Sequence, residues 1–223
     1  MNIELVIAAY DRDINWVKKL NDDIKVTIYR KGDLGKSEFE EVKIENNVGR
    51  DVHTFFNHIV NNYDNLSDYT FFVQDYPFDH WGNLIDVLNN NTFKEDCSLL
   101  IGDIENGYYG FHNNTFGSAW NMYTSRFVGN GNIISCYPNG YPQDTVNGVD
   151  VNKYWSILFD DIHQEIYEFM PGGHFGAHKD IIKIRTKDFY CKVVDILEND
   201  TRSPWNIERL ECYFFNKNYK SKI

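Results

Sequence analysis

The chain is short of basic residues. Its 223 residues include 22 Lys and Arg against 33 Asp and Glu, which gives a formal net charge of -11. Because nucleic-acid binding needs a basic surface to neutralise phosphates, this balance argues against a nucleic-acid partner. It also gives no support for docking on an anionic membrane. No apolar run approaches the roughly 20 residues of a membrane span, so no transmembrane segment is expected.

Cysteine is also scarce, with only four residues at irregular spacing and no Cys-x-x-Cys pair. A zinc knuckle and a disulfide framework are therefore not indicated for a chain of this length. The first apolar run, residues 3–9, has no basic leader and no cleavage site, which is typical of a strand rather than a signal peptide. We therefore expect a cytoplasmic protein. Its oligomeric state is not indicated.

The chain does contain a regular alternation of apolar segments. Ile3–Ala9 and Ile24–Tyr29 are predicted as strands, and Ile14–Leu20 between them as a short helix. A strand, a helix and a strand joined by short links form a right-handed unit with parallel strands. We predict a single α/β, Rossmann-like domain over residues 1–223, with a mostly parallel central sheet flanked by helices.

The most informative stretch is 46–80. Apolar residues at helical spacing over 52–63 predict a helix, and the short apolar run Tyr69–Val73 predicts a buried strand that ends in polar residues. Ligands of open α/β sheets bind at the carboxyl ends of strands, so these polar residues are a candidate site. Asp75 and Pro77 are also ordinary turn residues, and a purely structural turn is the alternative.

Two motifs in this stretch carry a family resemblance. Asn47–Thr54, beginning Asn-Val-Gly-Arg-Asp, and Phe72–His80 resemble the GT-A type of nucleotide-sugar glycosyltransferase, in which an Asn-x-Gly-x turn precedes a helix and the next strand ends in an acidic motif. They resemble more closely a little-characterised domain family of fungi, bacteria and large DNA viruses, which includes the amino-terminal glycosyltransferase domain of a chlorovirus protein. The resemblance covers nearly the whole chain.

The resemblance implies a GT-A-like enzyme with a nucleotide-binding half at about 1–105 and an acceptor-side half at about 106–223. It would transfer a sugar from a nucleotide-diphosphate donor, expected to be a UDP-sugar, to a carbohydrate acceptor. The strand here ends in Gln74-Asp75-Tyr76-Pro77 rather than Asp-x-Asp. A requirement for a divalent cation, Mn²⁺ or Mg²⁺, is therefore left open, as is the choice between inversion and retention.

The resemblance also implies which residues bind the donor. The tip of the first strand would hold the base and ribose, with Tyr10 stacking on the base; a solvated loop is the alternative. Arg50 would bind the diphosphate, because a guanidinium pairs well with phosphate oxygens; an ion pair with Asp51 or Asp75 alone is the alternative. Paired glycines in the segment 169–178 would pack beside the donor sugar. The complete predicted donor set is Ala9, Tyr10, Asp11, Arg50, Gln74, Asp75, Gly173 and His174.

Two carboxylates are the predicted catalytic residues, Asp79 and Glu208. Glu208 lies in a Trp-x-x-Glu-Arg run that resembles the family's helix-borne acidic motif, where a carboxylate at the helix start faces the acceptor. We expect Ser203 to cap that helix and Glu208 to stay ionised near its amino terminus. A salt bridge to a neighbouring basic residue is the alternative. The predicted metal ligands are Asp75, Asp79 and His80.

Two other function classes fit parts of the pattern. A metal-dependent phosphoester hydrolase would use oxygen and nitrogen ligands, and a non-catalytic module would only bind a nucleotide sugar. The long aromatic region 107–154 is predicted either as a lid or acceptor wall, or as an irregular core-packed connection. Residues 217–220 are predicted as a frayed basic tail. The ligands of the hydrolase alternative would be Asp75, Asp79, His80, His174 and His178.

Overall fold

The fold was determined as a computed structural model, which describes residues 1–31, 39, 42–44, 46–93, 108–110, 125–127, 133–135, 150–169 and 173–223. Among these residues, no helix is both long enough and apolar enough to cross a membrane. Most of the aromatic region 107–154 lies outside the described residues.

The core of the structure is a six-stranded sheet with the order β3-β2-β1-β4-β9-β5. Four neighbouring strands, β3, β2, β1 and β4, run parallel, and β9 is antiparallel to both β4 and β5. The predicted mixed α/β fold with a mostly parallel sheet is thus confirmed. The strands are β1 (Ile3–Ala9), β2 (Ile24–Arg30), β3 (Val42–Ile44), β4 (Tyr69–Gln74), β5 (Tyr108–Gly110) and β9 (Phe175–His178).

A second, three-stranded antiparallel sheet has the order β7-β6-β8. Six α-helices accompany the two sheets in the described residues, and β1 and β2 are joined by a 3₁₀ turn at Asn15–Lys19. The strands of the small sheet are β6 (Ser125–Phe127), β7 (Ile133–Ser135) and β8 (Tyr167–Phe169); the helices are α1 (Arg50–Asn62), α2 (Leu84–Asn90), α3 (Val151–Leu158), α4 (Lys179–Ile182), α5 (Lys187–Asn199) and α6 (Ser203–Phe214).

The central strands are buried on both faces, as continuous apolar runs predict. Every residue of β1 is buried, and its side chains alternate between two hydrophobic clusters. Val6 and Ala8 face the cluster that contains α1 and the carboxyl-terminal helices, whereas Leu5 and Ile7 face the cluster that contains α2. Many of the chain's aromatic residues also belong to these two clusters, so they pack in the core.

The carboxyl-terminal half is fastened by one buried arginine. The guanidinium of Arg185, between α4 and α5, donates to the backbone oxygens of Tyr213, Phe214, Asn216 and Tyr219 at 2.6–3.0 Å. Carbonyls at the end of α6 have no partner within the helix, and Arg185 satisfies them. This bonding fixes α6, the helix that carries Glu208.

Two expectations about the chain's periphery were wrong. The tail is not frayed, because the backbone N–H groups of Asp160 and Lys222 donate to the oxygens of Lys220 and Leu158, and Ser221 pairs with Phe159. The region 107–154 is not wholly irregular, since it contains β5, β6, β7 and the start of α3. Tyr154 is buried in α3 and is not part of a lid. The proposed lid or acceptor wall otherwise lies outside the described residues.

Candidate active site

A cleft of about 660 Å³ opens at the carboxyl edge of the parallel strands. It is formed where β1, β2 and β4 end and where α1 begins, which is the edge that parallel α/β sheets use for ligands. Seven of the predicted site residues line it, namely Ala9, Tyr10, Asp11, Arg50, Gln74, Asp75 and Asp79; Ala8, Arg12, Lys31, Asn47, Asp51 and Tyr76 complete the wall.

Asp75 fixes the wall on the β1 side. Its Oδ2 accepts hydrogen bonds from the backbone N–H groups of Tyr10, Asp11 and Arg12 at 2.9, 3.0 and 3.0 Å, and its carbonyl accepts from the indole N–H of Trp16 at 2.8 Å. Three charge-assisted bonds to one buried oxygen hold the loop after β1 in a single conformation. The loop in turn leaves the ring of Tyr10 half exposed at the cleft.

Gln74, the last residue of β4, forms hydrogen bonds to the segment that follows it and to His174. Its side-chain amide donates to the carbonyl of Tyr76 and to Oδ1 of Asp79, both at 3.2 Å, and its backbone N–H donates to Nε2 of His174 at 3.4 Å. His174 is buried and its ring packs edge-on against His80 with centroids 5.3 Å apart. His174 does not line the cleft. From its buried position it supports the end of β4 through this hydrogen bond.

The turn before α1 has an unusual backbone. Gly49 and Arg50 both have positive φ, 61° and 56°, although only glycine adopts this region readily. A Cβ on Gly49 would lie 2.6 Å from Cβ of His53, so the close packing also requires glycine. A non-glycine residue held at positive φ marks a site where the surrounding structure imposes the conformation. The exposed guanidinium of Arg50 lies 5.4 Å from the ring centre of Trp205.

Lys31 was missed as a site residue by sequence reasoning. It follows β2, is only 9% exposed, and lines the main cleft. Its ammonium donates to the backbone oxygens of Val48 and Arg50 at 2.6 and 2.5 Å, and lies 3.4 Å from Nδ1 of His53. The sequence indicated Lys31 only through its position, as a charged residue just after a strand at the edge of the sheet where ligands bind.

Asp51 borders the main cleft and a smaller one beside it. Its Oδ1 accepts from the N–H of Val52 at 3.0 Å. Burial raises the pKa of Asp51, against the opposing effects of Arg50, the Val52 N–H and Lys31. Carboxylates with shifted pKa values in clefts are frequent in functional sites.

The smaller cleft, about 130 Å³, adjoins the first through the shared residues Arg50, Asp51 and Gln74. Glu208 lines it and is half-buried. Gly173, at φ 62°, lies opposite, so close that a Cβ there would be 3.9 Å from Cγ of Glu208. The other lining residues are Val52, His80, Pro204 and Trp205.

The expected position of Glu208 within its helix was wrong. The helix α6 begins at Ser203, which places Glu208 in the second turn, beyond the strongest influence of the helix amino terminus. Ser203 does not cap the helix either, because its hydroxyl donates to the carbonyls of Ile196 and Asp200. Glu211, one helical turn after Glu208, is buried. The helix is thus enclosed on nearly all sides, with Glu208 at an opening.

The predicted metal ligands Asp75, Asp79 and His80 already have partners within the protein. Asp75 already accepts three N–H bonds at Oδ2, Asp79 accepts from Gln74, and His80 lies 3.9 Å from the Asp79 carboxylate. Among the residues that the structure describes, no three His, Cys, Asp or Glu side chains are grouped to hold a metal ion. A divalent cation at Asp75, Asp79 and His80 stays a prediction.

The hydrolase ligand set is not gathered at the cleft. His178 pairs with Tyr69, at the amino end of β4, whereas Asp75 follows the carboxyl end. The length of the strand therefore separates His178 from the cleft. Its Nδ1 instead accepts from the N–H of Asp180 at the start of α4. Of the five residues proposed for a phosphoester hydrolase, His178 thus lies at the edge of the sheet opposite to Asp75.

A family model described as "Protein of unknown function (DUF3431)" matches residues 5–219. The chain belongs to this family. The match extends from β1 to beyond α6, so every element that lines the two clefts of this DUF3431 protein lies within the family region. No curated protein and no solved structure matches the chain. The family description names no activity, and the function must be argued from the clefts.

Proposed function

We propose that this DUF3431 protein is a glycosyltransferase with a GT-A-like domain, which transfers a sugar from a UDP-sugar or similar donor to a carbohydrate acceptor. One observation carries the proposal. The separate segments whose residues resemble the donor-binding motifs, at 9–11, 47–51 and 74–79, line a single cleft, and Glu208 lies in a cleft that adjoins it. This arrangement supports a nucleotide-binding half and an acceptor-side half that meet at Arg50 and Gln74.

The main cleft has suitable dimensions and chemistry for a nucleotide sugar. Its volume of about 660 Å³ is within the range of small-molecule sites, roughly 300–1,000 Å³. Two half-exposed rings, Tyr10 and Tyr76, offer aromatic faces to a base or sugar. The carboxylates of Asp11 and Asp79 are exposed and would accept hydrogen bonds from hydroxyl groups.

Arg50 would bind the diphosphate. Its guanidinium borders both clefts, so it stands where the donor sugar would meet the acceptor. As the bond between the anomeric carbon and the diphosphate oxygen breaks, negative charge grows on the leaving group. A fixed cation there stabilises the transition state more than the ground state. The ring of Trp205 beneath the guanidinium limits its orientations.

Glu208 would act on the acceptor. In an inverting reaction, the acceptor hydroxyl attacks the anomeric carbon, the bond to the diphosphate breaks, and the hydroxyl proton passes to the Glu208 carboxylate. In a retaining reaction Glu208 would orient the acceptor or stabilise charge instead. Asp79, whose Oδ1 accepts from Gln74, would orient the donor in either case. A cytoplasmic location stays a prediction from the composition.

A thermal-shift panel followed by a transfer assay tests this function. UDP and UDP-sugars, each with Mn²⁺ and with chelator, should raise the melting temperature of the wild-type protein, because a ligand that binds the native state stabilises it. Release of UDP should then depend on an added carbohydrate acceptor. Binding without any acceptor-dependent release would favour the non-catalytic module. No stabilisation by any nucleotide diphosphate would contradict the proposal.

A further inference from the structure

We infer that Lys31 is a positioning residue, which holds Arg50 in the conformation needed to bind the diphosphate group of the ligand. The inference rests on the proposed function only for the identity of that ligand. Lys31 itself borders the cleft, and a lysine at a phosphate site would ordinarily be assigned to direct phosphate contact. The hydrogen bonds of its ammonium indicate a different role.

The ammonium of Lys31 faces the protein backbone. It donates to the carbonyls of Val48 and Arg50, the residues on either side of Gly49. Gly49 and Arg50 both have positive φ, and this backbone directs the two carbonyls towards one point. An ammonium has three N–H donors that can converge with such acceptors. Lys31 therefore stabilises a turn that would otherwise be strained at Arg50.

A second layer fixes Lys31 in turn. Nδ1 of His53, a buried residue of α1, lies 3.4 Å from the ammonium, and Nε2 of His53 lies 3.2 Å from Oε1 of Glu198 on α5. Since an ammonium only donates, Nδ1 must be the acceptor, and the ring proton is then on Nε2, directed at Glu198. The series Glu198, His53, Lys31 thus connects α5 to the turn before α1.

These hydrogen bonds determine where the guanidinium of Arg50 lies. Its side chain leaves the backbone in a direction set by φ at Arg50, and in that direction it lies over Trp205 at the border of the two clefts. If the Lys31 bonds are removed, the turn relaxes towards the usual negative φ, and the guanidinium leaves the Trp205 ring. Lys31 would therefore influence diphosphate binding through Arg50.

A double-mutant cycle separates this role from direct contact. The variants are Lys31→Met, Arg50→Met and both together, with Lys192→Met, a surface lysine paired with Asp195, as the matched control. UDP affinity is measured by calorimetry. We expect Lys31→Met and Arg50→Met each to weaken UDP about ten- to a hundredfold, and the double variant to be no weaker than Arg50→Met alone. Additive losses would overturn the inference, because Lys31 would then bind the ligand itself.

A ligand-independent measurement keeps the test valid if UDP does not bind. The emission of Trp205 is obtained by subtracting the spectrum of each protein's Trp205→Phe partner. Lys31→Met should change this emission as Arg50→Met does, and Lys192→Met should leave it unchanged. An unchanged Trp205 signal in folded Lys31→Met would overturn the inference. Wild-type protein that binds no UDP, with the expected emission changes, would contradict the proposed function but not the positioning role.

If Lys31→Met does not fold, His53→Phe provides the same test. This change keeps an aromatic ring, slightly larger than imidazole, and removes the acceptor nitrogen for Lys31 while leaving the lysine in place. The Trp205 emission should shift in the same direction as in Arg50→Met, by a smaller amount. Folded His53→Phe with wild-type emission and wild-type UDP affinity would show that the series does not act on Arg50.

Discussion

Asp75, at the end of β4, accepts a hydrogen bond at 2.9 Å from the backbone N–H of Tyr10, at the end of β1. The same carboxylate oxygen accepts from the next two N–H groups along the chain. A residue predicted from its position as a metal ligand thus shapes the β1 side of the cleft. This change of role alters what its substitution should do.

Asp75→Asn should lower both stability and donor binding, whether or not metal is present. The amide keeps the size of the side chain but loses the charge that supports three N–H bonds, so we expect the free energy of unfolding to fall by about 1–3 kcal/mol. UDP affinity, measured by calorimetry in Mn²⁺ and in chelator, should fall equally in both. Asp79→Asn, an exposed neighbour, should leave the unfolding free energy nearly unchanged. Loss of affinity confined to the Mn²⁺ condition would restore the metal-ligand role.

Glu208→Gln separates catalysis from binding. The variant keeps the shape of the side chain and removes its basicity, so UDP affinity should be retained while transfer to the acceptor falls by about 10²–10⁴-fold. Initial rates, melting temperature and UDP affinity should be measured on one preparation. Glu165→Gln, an exposed glutamate before β8, is the matched control and should transfer at the wild-type rate. Unchanged turnover in Glu208→Gln would refute its assignment as the base.

Two glycines with almost the same φ should respond differently to alanine. Gly49→Ala would place a Cβ 2.6 Å from Cβ of His53, whereas the Cβ of Gly173→Ala would make an ordinary 3.9 Å contact with Glu208. Strain at positive φ alone costs about 1–3 kcal/mol, and only Gly49→Ala adds a steric clash. Denaturant unfolding should therefore show the greater loss for Gly49→Ala. Equal losses would mean that the turn before α1 adjusts easily.

Acid should destabilise the protein partly through Asp200. The hydrogen bond from Lys153 at 2.9 Å, with those from Tyr154 and the Arg202 N–H, lowers the pKa of Asp200 from 3.8 to about 2. Because the folded-state pKa is the lower one, this stabilisation is present above pH 3.8 and is lost as the pH falls towards 2. After solvent screening it amounts to about 1 kcal/mol. The unfolding free energy of Asp200→Asn should show a correspondingly smaller dependence on pH in this range.

The sequence predicted the framework well because the framework depends on local periodicity. The bounds of β1 agree, and β2 and β4 each extend one residue further than predicted. The start of α1 was placed two residues late, since apolar spacing gives no indication of an ordered turn at positive φ.

The site was predicted less fully because its chemistry depends on contacts between distant segments. Seven residues chosen from sequence motifs line one cleft, but the motifs did not show that Asp75 bonds to the β1 loop or that Lys31 bonds to the turn before α1. Glu208 was found through a motif, yet its place in the second helical turn follows from where α6 begins. Local pattern therefore identified the candidate residues, and tertiary hydrogen bonding determines the contacts that each of them makes.

The bonds of Asp75 also bear on how the protein is made. The loop after β1 takes its shape from a carboxylate 65 residues later in the chain, and the β4 end is in turn supported by a histidine 100 residues beyond it. During synthesis on the ribosome, β1 would emerge long before Asp75 and His174. The loop after β1 would therefore have no fixed conformation until these residues had been synthesised. The main cleft would then be among the last parts of the molecule to form, after both Asp75 and His174 have left the ribosome.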